Sequence, residues 1–181
     1  SILPGPVLFA LKERLKAYLE PRGAAAAPVP AEAELPVSTL AGHVVLVGYG
    51  RVVSLVGEAL QLVRRPMFVI DESVQAVDLL KVAGVEGLSG NAAREGLLAA
   101  ANVRQARLLI VAIPNSFEAG QIVQQARRAN PGIEIITRAH YDAEVDYLSK
   151  LAANSVILGA RALARPMIAQ VPPHTEPDHP P

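Results

Sequence analysis

The feature that most constrains this chain is a regular alternation of short apolar runs with stretches of helical periodicity. Six apolar runs are typical of strands buried on both faces, at residues 44–47, 67–70, 85–88, 108–113, 133–136 and 156–158. Helical periodicity fills the intervals, at residues 52–63, 74–82, 93–100, 117–129 and 144–151. Strands that alternate with helices through short loops pair in parallel through right-handed crossovers. The alternation therefore predicts an α/β fold: a Rossmann-like, doubly wound parallel sheet of six strands in the order 3-2-1-4-5-6, with helices on both faces.

The ends of the chain differ in composition from this alternating region. Residues 21–41 are rich in alanine and proline and residues 171–181 in proline, which predicts a linker and a disordered tail around a folded domain at residues 42–170. Residues 1–20 begin apolar and turn basic, and the apolar part is shorter than the roughly 20 residues of a membrane span. Two interpretations stay open for them: an amphipathic connecting helix, or the cytoplasmic end of a transmembrane helix.

Charge and cysteine content exclude several classes of function. Lys and Arg number 17, as do Asp and Glu, so the formal net charge is zero and a nucleic-acid partner is not expected. The chain contains no cysteine, which removes disulfides, thiolate nucleophiles and most structural zinc sites. Its four histidines lack metal-ligand spacing, so we predict no metal site.

A glycine-rich loop after the first strand predicts a phosphate-binding turn. It comprises Gly48, Tyr49, Gly50, Arg51 and Val52, and it lies between a buried strand and a helix, the context that gives a G-x-G motif its meaning. Gly48 permits a tight turn, and Gly50 lets the backbone approach a pyrophosphate at the helix start. Arg51 would cover the phosphates or remain solvated. Val53 replaces the third glycine of the motif, and we expect overpacking there to cost about 1–3 kcal/mol if its neighbours do not adjust.

An acidic pair closes the second strand, at the position where dinucleotide-binding folds hold a ribose. Asp71 lies about 20 residues after the glycines, the spacing at which the fingerprint places its acid. In isolation Asp71 would be a strand-end turn residue, but this spacing favours ribose binding. Glu72 follows it, and the two carboxylates would repel a 2′-phosphate. We therefore expect an adenine nucleotide, AMP, ATP or NAD(H), and not NADP.

Further candidates lie at the ends of three later strands, because open α/β sheets bind ligands beyond the carboxyl edge. They are Gly90, Asn91 and Ala92 after the third strand, Ile113, Pro114 and Asn115 at the fourth, and Arg138 at the fifth. Asn91 would contact adenine or ribose, or it would cap the next helix. Asn115 is favoured as a helix cap, with Glu118 three residues later. Arg138 would balance phosphate charge or form a surface ion pair.

No acid–base group accompanies the predicted nucleotide site. A dehydrogenase needs a substrate pocket and an acid or base facing the nicotinamide, whereas the predicted sheet uses all of residues 42–170. His140 lies near the crevice edge, where a structural hydrogen bond is favoured over catalysis. We therefore predict no catalytic residue and a nucleotide-sensing role. Two alternatives stay open: a soluble NAD-dependent oxidoreductase, and an assembly-only Rossmann domain that has lost its ligand through Val53.

Several segments together resemble the TrkA-N, or RCK, domain. They are HVVLVGYGRV (43–52), FVID (68–71), GNAA (90–93), LLIVAIPN (108–115) and ARRANPGIEIITRAHYDAEV (126–145). The likeness covers nearly all of residues 42–167 and is greatest to the form at the C-terminus of Kef-type potassium/proton antiporters of the YbaL subgroup. By the same resemblance, the first residues look like the end of a last transmembrane helix that leads through a linker into the cytosol.

The resemblance implies a regulatory role at the cytoplasmic face of the inner membrane. Domains of this family dimerise through the Rossmann domain, bind adenine nucleotides in the crevice and pass ligand state to a transport domain as gating. The implied partners are a second copy of the chain and the membrane antiporter domain of the same full-length chain, which exchanges a monovalent cation (potassium) for protons. Carried over by position, the nucleotide-binding residues are Gly48, Gly50, Arg51, Asp71, Asn91, Asn115 and Arg138.

Overall fold

The structure, a computed structural model, describes residues 35–94 and 96–170 of the chain. The expectations for residues 1–34, a connecting or transmembrane helix and most of a linker, fall outside the described residues, as does the tail predicted at residues 171–181. Within the described ranges, no helix combines the length and apolar character that crossing a membrane requires. The described residues belong to a compact unit that begins at Leu35.

Six strands and six helices alternate along the described residues. The strands are β1 (Val44–Val47), β2 (Met67–Asp71), β3 (Glu86–Ser89), β4 (Leu108–Val111), β5 (Glu134–Ala139) and β6 (Ser155–Leu158). The helices are α1 (Arg51–Leu62), α2 (Val74–Val82), α3 (Leu97–Ala100), α4 (Ser116–Ala129), α5 (Asp142–Lys150) and α6 (Gly159–Ile168), with a 3₁₀ turn at Val103–Gln105. The strands pair in parallel in the order β3-β2-β1-β4-β5-β6, which confirms the predicted fold.

Helices cover both faces of the sheet because its central strand, β1, is apolar on both sides. Val45 and Val47 pack into the larger apolar cluster, on the face that α4 covers. Val44 and Leu46 pack into a second cluster, on the face that α1 and α2 cover. Successive strand residues point to opposite faces. An unbroken apolar run is therefore what a strand between two helical layers requires.

The strand register brings the loops after β1, β2 and β4 to one edge of the sheet. Val47, the last residue of β1, pairs with Ile70 of β2 and Val111 of β4. Gly48 directly follows β1 and Asp71 is the last residue of β2, so the two lie close together at the carboxyl edge. The strand order also reverses between β1 and β4, and ligands of open α/β sheets bind at such a reversal.

The helix predicted at residues 93–100 is wrong over its first half, because α3 begins only at Leu97. The Asn91 side chain accepts a hydrogen bond from the Ala93 N–H at 2.8 Å, which closes a turn in place of a helix. Gly96, just before α3, has a φ of +96°, outside the helical region. The apolar periodicity reflects burial of this segment, since Ala92 and two residues of α3, Leu97 and Leu98, lie in the larger apolar cluster.

The folded unit extends past the predicted linker boundary, since residues 35–41 belong to it. Ser38 is 8% exposed, and its N–H donates to Ala100 O at 2.8 Å. The Ser38 hydroxyl donates to Glu86 Oε2 at 2.7 Å. A boundary at residue 42 is therefore too late. Backbone groups, the Ser38 side chain and Leu40, which packs against the larger apolar cluster, make these contacts, and composition alone did not separate them from the Ala/Pro-rich segment.

Arg127, near the end of α4, joins three segments of the domain. Its guanidinium donates hydrogen bonds of 2.7–2.9 Å to Pro131 O, Ile133 O, Ala152 O and Asn154 Oδ1. Asn154 Oδ1 also accepts from the Ile135 N–H at 2.8 Å. A single cation at a helix C-terminus, where positive charge is favoured, therefore holds the loops before β5 and β6 together.

Candidate functional site

A cavity of about 320 Å³ opens at the carboxyl edge of the sheet. Its walls come from the loops after β1, β2, β3 and β4, from β5 and from the first turns of α4. Most of the predicted site residues line it: Gly48, Gly50, Asp71, Glu72, Gly90, Asn91, Ala92, Ile113, Pro114 and Arg138. The fold thus brings together residues that lie as much as 90 positions apart in the sequence, from Gly48 to Arg138.

Gly48 occupies a backbone conformation and a space that exclude a side chain. Its φ is +84°, and its N–H donates to Ile70 O at 2.9 Å. A Cβ at this position would lie 3.0 Å from Ile113 Cγ2 and 3.2 Å from Ala112 O. Gly48 is therefore required for the turn that carries the chain from β1 into α1.

Gly50 differs from Gly48, because neither its backbone conformation nor its surroundings exclude a side chain. Its φ of −81° suits any residue, and a Cβ there would find no atom within 4 Å. Gly50 is also the N-cap of α1 and makes no side-chain cap, so the first N–H groups of the helix have no capping side chain among the described residues. Free backbone donors beside an open space form a cradle suited to an anion.

Val53, in place of the third glycine of the motif, does not fill this cradle. Its side chain is 2% exposed and packs in the second apolar cluster, beside Val44, Leu46 and Val69. Val53 is absent from the pocket lining. The substitution therefore enlarges the core beneath α1 and leaves the pocket open.

The Tyr49 side chain lies outside the pocket, against α1. A Cβ at Gly57 would fall 2.8 Å from Tyr49 Cε2, so Gly57 is what lets the ring approach the helix. Burial and, to a smaller degree, the Glu58 carboxylate raise the pKa of the Tyr49 hydroxyl. Tyr49 contributes to the pocket through its backbone, because its N–H donates to Asp71.

Asp71 connects the glycine-rich loop to the end of β2. Its Oδ2 accepts from the Tyr49 N–H at 2.5 Å, and its Oδ1 accepts from the Ser73 N–H at 2.8 Å. A carboxylate has about four acceptor sites, so each oxygen keeps capacity for a hydroxyl donor. Glu72 lies beside it with an exposed side chain and also lines the pocket.

Three more predicted residues lie outside the pocket lining. Arg51 and Val52 form the first turn of α1 with exposed side chains. Asn115 is the N-cap of α4: its Oδ1 accepts from the N–H groups of Phe117 at 3.0 Å and Glu118 at 3.2 Å, which confirms the capping interpretation.

Arg138 lines the pocket from β5, and within the described residues it forms no ion pair. The surface ion pair that was its alternative is thus not formed among these residues, and its role in balancing phosphate charge stays a prediction. Asn91 lines the pocket and closes a local turn, but it does not cap the next helix, because α3 begins only at Leu97. Its contact with adenine or ribose stays a prediction.

Five lining residues were not predicted from sequence: Val47, Ile70, Ala112, Glu118 and Ile122. Glu118 matters most because it is charged, and its position in the sequence indicated only a helix-start residue. Ligands of open α/β sheets bind beyond the carboxyl ends of the strands. Including the first turn of the helix after each strand among the candidates would have identified Glu118. With Asp71 and Glu72 it sets three carboxylates against the single guanidinium of Arg138, so the lining is acidic.

Two other cavities, of about 470 and 420 Å³, lie near the start of β3, away from the glycine-rich loop. Both are bounded by Gly84, Val85 and Glu86, at the start of β3. Neither includes a helix N-terminus with free amides or the strand-end acid. The smaller carboxyl-edge cavity is therefore the candidate site.

Replacing Val53 with glycine is expected to destabilise the domain by about 2–3 kcal/mol, because the change empties a buried position and places glycine inside a helix. Restoring the motif would not improve nucleotide affinity, since Val53 is outside the pocket lining. Chemical denaturation and calorimetry on Val53→Gly would measure the two effects. Tighter binding by this variant would contradict the assignment of Val53 to the core.

The sequence profile of the TrkA-N domain matches residues 44–159, from β1 to the first residue of α6. The chain belongs to the TrkA-N family. Over 180 residues this TrkA-N chain is 44% identical to YbaL of Escherichia coli (strain K12), a protein named as a candidate cation/proton antiporter. The alignment covers 97% of the chain and 32% of YbaL, so the chain spans about a third of that relative's length.

Two solved structures are similar to this TrkA-N domain. The crystal structure of the TrkA-N domain of the inner membrane protein YbaL from Escherichia coli matches with a TM-score of 0.72 and 47% identity, covering 75% of this chain and all of that one. The Kef C-terminal domain of Shewanella denitrificans in an AMP-bound form matches with a TM-score of 0.62 and 29% identity, covering 69% of this chain and 76% of that one.

Proposed function

We propose that this chain is the regulatory adenine-nucleotide-binding domain of a membrane potassium/proton antiporter. The observation that carries the proposal is the cradle at the start of α1, where Gly50 borders open space in the pocket and the helix has no side-chain cap. Helix N-termini attract phosphate through their free N–H groups and the helix dipole. A nucleotide fits these residues because Gly50 lines the pocket and leaves open space beside the amides at the start of α1.

The lining residues suit the parts of a nucleotide. The amides at the start of α1 would bind phosphate, Asp71 would accept from ribose hydroxyls, and Arg138 would balance the phosphate charge. Asn91 and Ala92 would contact the ribose or the adenine. Among the described residues, the lining includes no histidine, lysine or tyrosine for proton transfer beside a cofactor, which favours a sensing role over an oxidoreductase. The bound AMP of the related Kef domain supports the ligand class.

The acidic lining favours nucleotides that carry few phosphates. Three carboxylates face one guanidinium in the pocket, and like charges in a partly buried site repel strongly. We expect AMP or NAD(H) to bind more tightly than ATP, and NADP to bind at least about tenfold more weakly than NAD because Asp71 and Glu72 oppose its 2′-phosphate. Titration calorimetry with AMP, ATP, NAD, NADH and NADP measures this order. Equal affinity for NAD and NADP would contradict the role given to the two acids.

Asp71→Asn is expected to weaken AMP binding by about 10–100-fold, because it removes the charged acceptor for ribose and leaves the Tyr49 or Ser73 N–H without its carboxylate oxygen. Calorimetry measures the affinity, and circular dichroism checks that the fold is kept. Asp78→Asn is a matched control, since Asp78 is an exposed residue of α2 outside the lining. Equal affinity in the two variants would remove Asp71 from the site.

Regulation requires the nucleotide to bind one conformation of the antiporter more tightly than another. We place the domain at the cytoplasmic face of the inner membrane, attached to the transport domain of its full-length chain. A coupling of about 1–3 kcal/mol would change cation/proton exchange by about 5–150-fold. Potassium/proton exchange by the full-length protein in proteoliposomes, with and without AMP or NADH, tests this. Exchange that ignores saturating nucleotide would end the regulatory proposal while leaving ligand binding intact.

The proposed homodimer would use α6. Among the described residues this helix has no buried position, and Leu163, Met167 and Ile168 are 66–68% exposed. An apolar helix face of this kind is stabilised by burial against another surface, and the family resemblance makes a second copy the occupant. Leu163→Glu is expected to shift the chain from dimer to monomer in light scattering, with Lys150→Glu as the exposed control. A monomeric parent chain would contradict this assembly.

A further inference from the structure

The crossover between β3 and β4 contacts both the pocket and the segment that leads into the domain. It starts at Gly90, Asn91 and Ala92, which line the pocket, and ends at the amino edge where β4 begins. Between these points lie α3 and the 3₁₀ turn. We call residues 97–105 the coupling segment and residues 38–43 the entry segment.

At the pocket end, the coupling segment packs directly on lining residues. A Cβ at Gly90 would lie 2.9 Å from Leu97 Cδ1, so the Leu97 side chain rests against the Gly90 backbone. Ala92, which also lines the pocket, is 3% exposed and shares an apolar cluster with Leu97 and Leu98. Close-packed protein interiors have low compressibility and transmit strain.

At the other end, four hydrogen bonds tie the coupling segment to the entry segment. They join Ser38 N–H to Ala100 O, His43 Nε2 to Ala101 O, Asn102 Nδ2 to Leu40 O, and Gly42 N–H to Gln105 O, at 2.7–2.9 Å. His43 is 0% exposed, and because a carbonyl only accepts, its Nε2 carries the proton. The entry segment is thus held along most of its length by the coupling segment.

A second wall of the pocket ends on the same segment. Helix α4 lines the pocket at Glu118 and Ile122. Past its other end, the Asn130 side chain donates to Val103 O at 3.1 Å and to Ala106 O at 3.0 Å. Both α4 and the loop after β3 are therefore connected to the 3₁₀ turn, so a displacement of either would be passed to it.

We propose that the coupling segment transmits nucleotide occupancy from the pocket to the entry segment, through which the domain would act on the transport domain of the proposed function. The inference rests on the proposed nucleotide function and adds the element through which the ligand acts. Coupling between two sites is reciprocal, so loosening the entry segment must also change nucleotide affinity.

Amide hydrogen exchange of the 181-residue chain, with and without saturating AMP, tests the proposal. We expect AMP to slow exchange at the Ser38 and Gly42 amides by about fivefold or more. The Arg65 and Val85 amides are matched controls, because they lie at the same amino edge but donate to Leu60 O and Leu80 O. Their exchange should change by less than about twofold, a difference smaller than ordinary coupling.

A variant separates transmission from binding. Asn102 has a φ of 49°, which glycine adopts freely, so Asn102→Gly deletes the hydrogen bond to Leu40 O without backbone strain. We expect this variant to bind AMP about 3–10-fold more weakly and to lose the AMP-dependent protection of the entry segment. Ala152→Gly is the control, because Ala152 has a φ of 67° and lies in the loop before β6.

The outcomes distinguish this inference from the proposed function. AMP binding that leaves Ser38 and Gly42 no more protected than Arg65 and Val85 overturns the coupling segment and leaves nucleotide binding standing. Asn102→Gly and Ala152→Gly variants with equal AMP affinity and equal protection also overturn it. An absence of calorimetric heat with AMP, ATP, NAD and NADH removes the proposed function, and the inference falls with it.

Discussion

Replacing Gly50 with alanine is expected to leave the domain folded and to weaken adenine-nucleotide binding by at least about 30-fold. The fold tolerates the change because the φ of Gly50 is −81° and a Cβ meets no atom within 4 Å. Alanine is a poorer N-cap than glycine, which costs about 0.5–1 kcal/mol of stability. The new methyl group would occupy the open space beside the helix amides, where we propose that phosphate binds. Calorimetry with AMP and thermal unfolding would measure both effects.

Two controls make the Gly50 result specific. Gly132→Ala adds a methyl group in a loop far from the pocket, where the nearest atom is Asn130 Oδ1 at 3.8 Å, and AMP affinity should not change. Gly48→Ala should lower the stability of the domain by about 2–4 kcal/mol, because alanine is strained at a φ of +84° and contacts Ile113. A Gly50→Ala variant that binds AMP as the parent does would remove the cradle from the proposed site.

Replacing Arg127 with methionine is expected to destabilise the domain by about 3–5 kcal/mol. Hydrogen bonds to charged groups contribute about 1.5–3 kcal/mol each, and the partly exposed setting of the four bonds reduces their sum. Methionine keeps much of the aliphatic packing and removes every donor. The carbonyl groups of Pro131, Ile133 and Ala152 would then lose their partner together. Urea denaturation followed by circular dichroism would measure the loss.

Arg128→Met is the matched control for this prediction. Arg128 is the next residue of α4, carries the same charge and is exposed. The change at position 128 should therefore cost less than about 0.5 kcal/mol, as is usual for surface substitutions. Equal losses in the two variants would show that the guanidinium bonds of Arg127 contribute little.

The sheet could be predicted from the sequence because its strands are buried on both faces. Runs such as those at residues 44–47 and 108–111 have one explanation when helical periodicity separates them, and parallel pairing then follows. The same rule placed Gly48, Asp71 and Arg138 at one edge, since each follows or ends a strand. Most lining residues could be predicted because they directly follow predicted strands, without any knowledge of which side chains are in contact.

Features that depend on packing between distant segments could not be predicted. Apolar periodicity at residues 93–100 indicated a helix over the whole segment. The apolar residues are there because the segment is buried, and the turn that Asn91 closes occupies the place of the first helical residues. At Val53 the motif suggested an overpacked helix, whereas the close approach to α1 occurs at Gly57, under the Tyr49 ring. The Ser38 N–H and three of the four hydrogen bonds of Arg127 go to backbone carbonyls, and such bonds cannot be predicted from residue type.

The Asp71 carboxylate binds the backbone of the glycine-rich loop and is also the proposed acceptor for the ribose hydroxyls. The binding energies of the nucleoside and of the phosphate are therefore not expected to be additive. Adenosine and inorganic phosphate, offered as separate fragments, would each occupy only one part of this site and would each lose translational and rotational freedom. Joined in one molecule, they would lose that freedom only once, and their combined affinity would exceed the sum of their separate binding energies. The molecule would then sense intact nucleotide rather than its breakdown products.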